Sequence, residues 1–349
     1  MSKCYINGLG SVTVQAPLFD VFESQPQALQ SLNKAQQPSY KELIAPAMSR
    51  RMAKGVKMSI YAADKALSEA GMDEIEAIVA GTGLGCIEDS EKFLDAIIEN
   101  DEQFLTPTAF IQSTHNTVAA QIALRLGCKA YNFTYVNGAS SFESALFDAF
   151  MQLKHFGKQN ALVGGVDEIA PYTFSMFEMV GKVKPEGTEI NFRQPVTGGI
   201  PLGEGAHFFA LSGEKNKNTY AEVCDVLLLN AFKEDEAATI QHFLHRHDLD
   251  MDTVDVVVLG VNGDVFLQPY YDKISALFPE TAQAYYQHVS ASYDTASAYG
   301  LRLAAEILRR QQYPEEVRYN NVKPRKLQNI LLVNQGEHTD FSFVLLKVC

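Results

Sequence analysis

The sequence predicts a layered α/β protein built as two units. Short apolar runs alternate with longer amphipathic ones, and several of the short runs are apolar throughout. The chain has 349 residues, where about 150 per domain is usual. A strand apolar at every position is covered on both faces, so helices must flank the sheet.

Residues 79–81, 133–136, 161–164, 207–211, 254–260 and 330–334 read as the strands. Helices are read from spacing. In 51–70 the apolar positions Val56, Ile60, Ala63 and Leu67 share a face. In 139–153 Phe142, Leu146, Ala149, Phe150 and Leu153 do the same. In 295–310 the series is Ala296, Gly300, Leu303, Ala304, Ile307 and Leu308, with arginines in the last turn where the helix dipole favours them. The polar stretch 212–219 follows an apolar strand and places the joint, giving halves of 1–213 and 214–349. Glycine and proline in 181–203 predict a long loop.

Composition excludes several classes. Hydrophobic residues are 46% and charged residues 20%, as in folded chains rather than disordered ones. Lys and Arg number 29 against 42 Asp and Glu, a net charge of −13. Nucleic acid and anionic membrane surfaces both need cationic neutralisation, so neither is an expected partner. The five cysteines, at 4, 86, 128, 224 and 349, include no CxxC pair, which fits reduced thiols in a cytoplasm. The start, MSKCYINGLGSVTV, lacks a signal-peptide pattern, and no run nears the ~20 apolar residues of a membrane span. No cofactor is expected, because the turn Gly81-Thr82-Gly83-Leu84-Gly85 is an incomplete phosphate fingerprint with no lysine after it. No metal is expected either, because His242, His245 and His247 do not share one helical face.

The segment 131–146, YNFTYVNGASSFESAL, ends a β-rich run in a tight Asn-Gly turn and opens a helix at Ala-Ser-Ser. That elbow presents one residue at the positive end of a helix. With YINGLGSV at 5–12, the helix-like 50–72, VAGTGLG at 79–85, the helix-like 110–127, ALVGGVDE at 161–168 and PLGEGAHFFAL at 201–211, the chain resembles the β-ketoacyl synthases of the thiolase superfamily. The resemblance implies a thiolase-like fold: two similar halves, each a mostly parallel sheet between helices, stacked as five αβαβα layers. It also implies a dimer in which residues 132–136 pair across a twofold axis.

Family catalysis, on this resemblance, uses a cysteine at the elbow and two histidines. Gly138 stands at the nucleophile position, with Ser140 and Ser141 as the structural Ser-Ser pair. A glycine cannot hold an acyl thioester. Asn262 stands for the first histidine, and an amide cannot shuttle a proton near neutral pH. The second histidine belongs to 287–297, where Gln287 replaces a lysine and Ala291-Ser292 replace Gly-Glu. The register there is open by a residue or two, so His288 stays a candidate position; Asp294 is a further family active-site position. The glycine-rich C-terminal turn is replaced by 334–341. His115, Phe142 and Phe341 are candidate pocket residues, and Arg50, Arg51, Lys54 and Lys57 a candidate docking cluster for an acidic carrier protein or partner subunit.

The expected role is a non-condensing, chain-length-factor-like partner of an active synthase in fatty acid or polyketide (aryl-polyene-type) biosynthesis. Two alternatives are an acyltransferase or malonyl decarboxylase with an atypical site, and a homodimeric acyl-binding protein.

Overall fold

A computed structural model describes residues 3–17, 19–103, 105–336 and 340–349. The first half carries β1 (Tyr5–Val12), α1 (Lys54–Ala70), β2 (Ala77–Gly81), α2 (Ile87–Glu99), α3 (Pro107–Ser113), α4 (Thr117–Leu126), β3 (Tyr131–Tyr135), α5 (Ser141–Lys154), β4 (Asn160–Asp167), α6 (Pro171–Met179) and β5 (Gly205–Ser212). The second carries β6 (Ala221–Leu229), α7 (Glu236–His245), β7 (Val256–Leu259), α8 (Gln268–Leu277), β8 (Ala282–Tyr285), α9 (Gln287–Ser290), α10 (Ser297–Arg310), β9 (Asn329–Gly336) and β10 (Asp340–Lys347).

Strand order repeats between the halves. The first five run β3-β2-β4-β5-β1 and the second five β8-β7-β9-β10-β6. In each half three strands are parallel and one antiparallel strand separates them from the first. The two ladders meet at β1 and β6 through Tyr5–Glu222 and Ile6–Ala221, so hydrogen bonding runs through all ten strands.

Layering follows from the period-two alternation of strand side chains. Ala77, Val79, Phe209, Val256, Val258, Ile330 and Leu332 face a central core with the apolar sides of α5 and α10. Their neighbours Ile78, Ala80 and Phe208 face α1 and α4. Val257, Leu259, Leu331 and Val333 face α7 and α8. The result is helix, sheet, helices, sheet, helix: the expected thiolase-like fold.

Glycines in β1 set one of these contacts. A Cβ on Gly8 or Gly10 would stand 2.1 Å from the carbonyl oxygen of Ala66 or Ala62 on α1. Only glycine lets that helix lie so close. Helix α1 stops at Gly71, whose φ of +65° ends it in a left-handed cap.

Three details depart from the sequence reading. The helix read over 110–127 is two helices, because Thr114 is extended and the hydroxyls of Ser113 and Thr117 bond back to the carbonyls of Phe110 and Ile111. The helix read from 51 begins at Lys54, leaving Arg50 and Arg51 in the preceding turn. Strands β6, β8 and β10 were not read from the pattern. Within the replaced C-terminal turn, 337–339 lie outside the described residues. No helix among the described residues is long and apolar enough to cross a membrane.

Candidate functional site

The C-terminal ends of β2, β3 and β4 converge on the elbow. Gly138 sits at its tip with φ +51°, and a Cβ there would meet nothing within 4 Å. Ser141, fully buried, ties the elbow down. Its hydroxyl accepts from Asn137 N at 2.8 Å and lies 3.0 Å from the Thr82 carbonyl and 2.6 Å from that of Gly138. The position is open, and it points a bare backbone at the start of α5.

No thiol stands at the elbow. Cys4, Cys86 and Cys224 are buried, Cys128 is half-buried beside the Ile75 carbonyl, and Cys349 is exposed at the far end of the chain. Burial pushes the Cys86 thiol up, and Glu168 alongside pushes it further, the reverse of what a nucleophile needs.

Asp167, at the end of β4, clasps the halves together. One carboxylate oxygen accepts from Thr82 Oγ1, Gly83 N and Leu84 N at 3.1, 2.8 and 3.1 Å. The other accepts from Thr295 N and Oγ1 at 2.9 and 2.8 Å. Burial raises its pKa, and the donors of Leu84, Thr295 and Gly83 pull it back. Asp294 is brought to the same place: a Cβ on Gly83 would stand 1.8 Å from its carboxylate.

Asn262 follows β7. Its side-chain carbonyl accepts from Asp264 N at 3.0 Å and so shapes the turn it stands in. Lys184, buried, holds that turn from below. Its ammonium donates to Gly263 O at 2.6 Å and to Thr197 O and Oγ1 at 2.7 and 2.8 Å. Burial lowers its pKa.

The structure settles the side chains of 287–292. Gln287 Nε2 donates to Gly260 O at 3.0 Å, and its Oε1 accepts from Ser292 Oγ at 2.5 Å. His288 points the other way. It bonds the Glu316 carbonyl at 2.9 Å and stacks on Tyr285 with ring centroids 3.9 Å apart. Burial drives its pKa down to about 3. Gln287 and Ser292, not His288, therefore border the β7 turn.

Ala291 between them has φ +58° and ψ −178°, a region that glycine alone occupies freely. Its side chain forces a glycine opposite, since a Cβ on Gly203 would stand 2.3 Å from the Ala291 Cβ. Ala291→Gly is expected to leave stability unchanged or raise it by up to about 1 kcal/mol. Relief of about 1–3 kcal/mol of backbone strain offsets the lost burial and the added chain entropy. A urea unfolding curve checks this. A loss above 1 kcal/mol would show that the backbone is relaxed.

Glu143 lies on the first turn of α5, just past the elbow. Its Oε1 accepts from Asn334 Nδ2 at 3.2 Å and Ser342 Oγ at 3.0 Å, and Tyr286 donates to Asn334 at 2.6 Å. Burial raises its pKa to about 7.

Other sequence candidates divide. His115 is exposed and packs against Gly85, where a Cβ would stand 2.9 Å from its ring. Phe142 is wholly buried against Phe209 in the central core, so it fills core volume instead of lining a pocket. Phe341 joins Phe232 and Tyr270 at centroid distances of 4.5 and 5.0 Å on the outer side of the second half. Lys54 is turned inward to Glu204 at 2.7 Å and Glu88 at 3.4 Å, so it leaves the docking cluster. Arg50 and Arg51 are exposed and Lys57 half-buried. Sequence reasoning missed Asp167, Glu143 and Lys184. The visible signal was a polar residue ending or adjoining an apolar run.

Residues 23–216 match the N-terminal domain of β-ketoacyl synthases. The chain belongs to the β-ketoacyl synthase family. No curated protein matches this family member in sequence. Among solved structures, a β-ketoacyl synthase from Burkholderia phymatum STM815 superposes on this synthase homologue with a TM-score of 0.80 at 14% identity, covering 100% of both chains. The ishigamide ketosynthase/chain length factor gives 0.80 at 15%, covering 100% of this chain and 99% of that one. The ketosynthase ApeO in complex with its chain length factor ApeC from Xenorhabdus doucetiae gives 0.76 at 15%, covering 100% and 98%. At such identities these similarities speak for the fold of the synthase homologue.

Proposed function

We propose that this chain is a non-condensing ketosynthase homologue that pairs with a cysteine-bearing β-ketoacyl synthase, as a chain length factor does, in fatty acid or polyketide assembly. The observation that carries the reading is the elbow: within a ketosynthase-like fold, the turn after β3 carries at its tip Gly138, which has no side chain. Asn262, Gln287 and Ser292 border the turn where the family resemblance expects two histidines, and none of them titrates near neutral pH.

The edge strand β3 is the surface for the partner. Among the described residues it has one strand neighbour, β2, and its outer edge is unpaired. Phe133 stacks on Tyr131 and meets Tyr135 at a tilt, yet Phe133 and the adjoining Val136 are 47% and 45% exposed. An unpaired edge that exposes apolar side chains invites another strand. The occupant is the matching strand of the active synthase. The first half (1–213) supplies this edge and the elbow, and the second half (214–349) closes the site.

Co-expression with a complete Cys-His-His synthase from the same gene neighbourhood is expected to give a 1:1 complex. Phe133→Asp should abolish it while leaving the circular dichroism of this chain unchanged. The chain alone, given malonyl-carrier protein, is expected to yield neither elongated product nor an acylated residue by mass spectrometry. A stable self-dimer that never mixes, or turnover by the chain alone, overturns the reading.

A further inference from the structure

Arg302, on α10, reaches a small cavity beside β1. The cavity measures about 40 Å³ and is lined by Ser11, Thr13, Gln36, Tyr61 and Arg302 among its polar side chains. About 10–15 Å³ suffices for one water, so this space takes a group of two or three heavy atoms beyond its attachment. Among the described residues no carboxylate lines it. Glu306 meets the far end of the guanidinium, Nη2 to Oε1 at 3.3 Å, and is shared with Arg310 at 3.9 Å. Arg302 Nε is buried and has no acceptor among the described residues. An unpaired buried N–H of a charged group costs more than a neutral one.

A second donor arrives from the other side. Ser11 Oγ lies 2.8 Å from His207 Nδ1, and His207 Nε2 lies 2.9 Å from the Tyr293 hydroxyl. Burial, with the Arg302 charge adding to it, keeps this imidazole neutral with a pKa of about 3, so it has one N–H and one lone pair. When Tyr293 donates to Nε2 and Nδ1–H donates to Ser11, the serine hydrogen is left over. Both it and the Arg302 N–H then need an acceptor.

We infer that this cavity is a binding site for a small oxyanion, a carboxylate or phosphate group, held by Arg302 and Ser11. A planar guanidinium and a hydroxyl suit paired oxygens. The chain through His207 ends at Tyr293, next to Asp294 and the Asp167 clasp, so occupancy bears on the site from outside it.

The test is thermal unfolding of the whole chain with sodium phosphate or sodium acetate added at constant ionic strength, sodium chloride being the reference. A saturable rise in the midpoint of about 2 °C or more is expected with one of the two anions. Phosphate alone names a phosphate site, and acetate alone a carboxylate site. Arg302→Gln should remove the rise. If that variant fails to fold, Gln36→Glu, at an exposed position, should remove it by placing a carboxylate beside the guanidinium. Equal midpoints in all three salts, or a rise unchanged in the variants, overturns the inference.

Discussion

Asp167→Ala is expected to destabilise the fold by about 5 kcal/mol and to loosen the two halves from each other. The carboxylate accepts five hydrogen bonds, three from backbone amides of Gly83, Leu84 and Thr295 and two from hydroxyls of Thr82 and Thr295. Alanine removes every acceptor and leaves the Thr295 amide buried and those of Gly83 and Leu84 part-buried. Each orphaned donor costs about 1–3 kcal/mol, so the three amides alone set a floor near 3 kcal/mol. The hydroxyls are free to rotate to other acceptors, and Thr82 Oγ1 keeps the bond it accepts from Gly85 N at 2.9 Å. Against this stands the cost of burying the charge, which raises the Asp167 pKa and is recovered in the variant. Asp167→Asn keeps one acceptor oxygen and points its NH₂ at donors, so about half the loss is expected. The chain has no tryptophan, so urea unfolding should be followed by circular dichroism and tyrosine fluorescence. The clasp spans Gly83 in the first half and Thr295 in the second, so the variant should also unfold in two steps. A variant within 1 kcal/mol of wild type would mean that water replaces the carboxylate, and the clasp would lose its structural meaning.

Local signals were legible in the sequence, and long-range pairings were not. The elbow could be read because strand, Asn-Gly turn and helix are consecutive. The strands β4, β5, β7 and β9 could be read because burial on both faces leaves each an apolar run of four or more residues. Strand β6 carries Glu222 and Asp225, β8 is four residues long with Gln283 in it, and β10 starts on Asp340, so none gave that signal. The direction of Lys54 depends on Glu204, 150 positions away, and charge counting along a helix cannot supply it. The register at 287–292 was open for a different reason. In a one-turn helix, one residue of slippage decides whether Gln287 or His288 faces Gly260. The Ala291 backbone, which fixes the answer, lies in a conformation that alanine rarely adopts, so its identity pointed away from it.

Glu143→Gln should make the chain more stable than wild type by a margin that grows with pH. Burial raises the Glu143 carboxyl from 4.5 to about 7, with Ser297, Ser342 and Asn334 holding the shift in check. A carboxylic acid with a raised folded pKa favours folding below its unfolded value. That contribution drains away as pH climbs from 4.5 to 7 and is gone above. A shift of this size is worth on the order of 3 kcal/mol. Glu168 behaves alike, raised to about 7 by burial against the pull of Lys54. Wild type hides both. His207 and His288, each pushed from 6.5 down to about 3 by burial, lose stability as pH falls below 6.5. Between pH 4.5 and 6.5 these falling contributions meet the two rising ones, each with a slope of at most about 1.4 kcal/mol per pH unit, and Asp167, raised by burial as well, adds to the fall. The wild-type profile is therefore a composite, and the difference between variant and wild type isolates Glu143. Glutamine keeps an oxygen for Asn334 and Ser342 and cannot ionise, so one falling contribution disappears. The stability of Glu143→Gln minus that of wild type should rise by on the order of 3 kcal/mol from pH 4.5 to 7 and stay constant to pH 8.5. Denaturation at half-unit pH intervals measures it. A difference that does not change with pH would place the Glu143 charge in contact with water and take the buried acid out of the site.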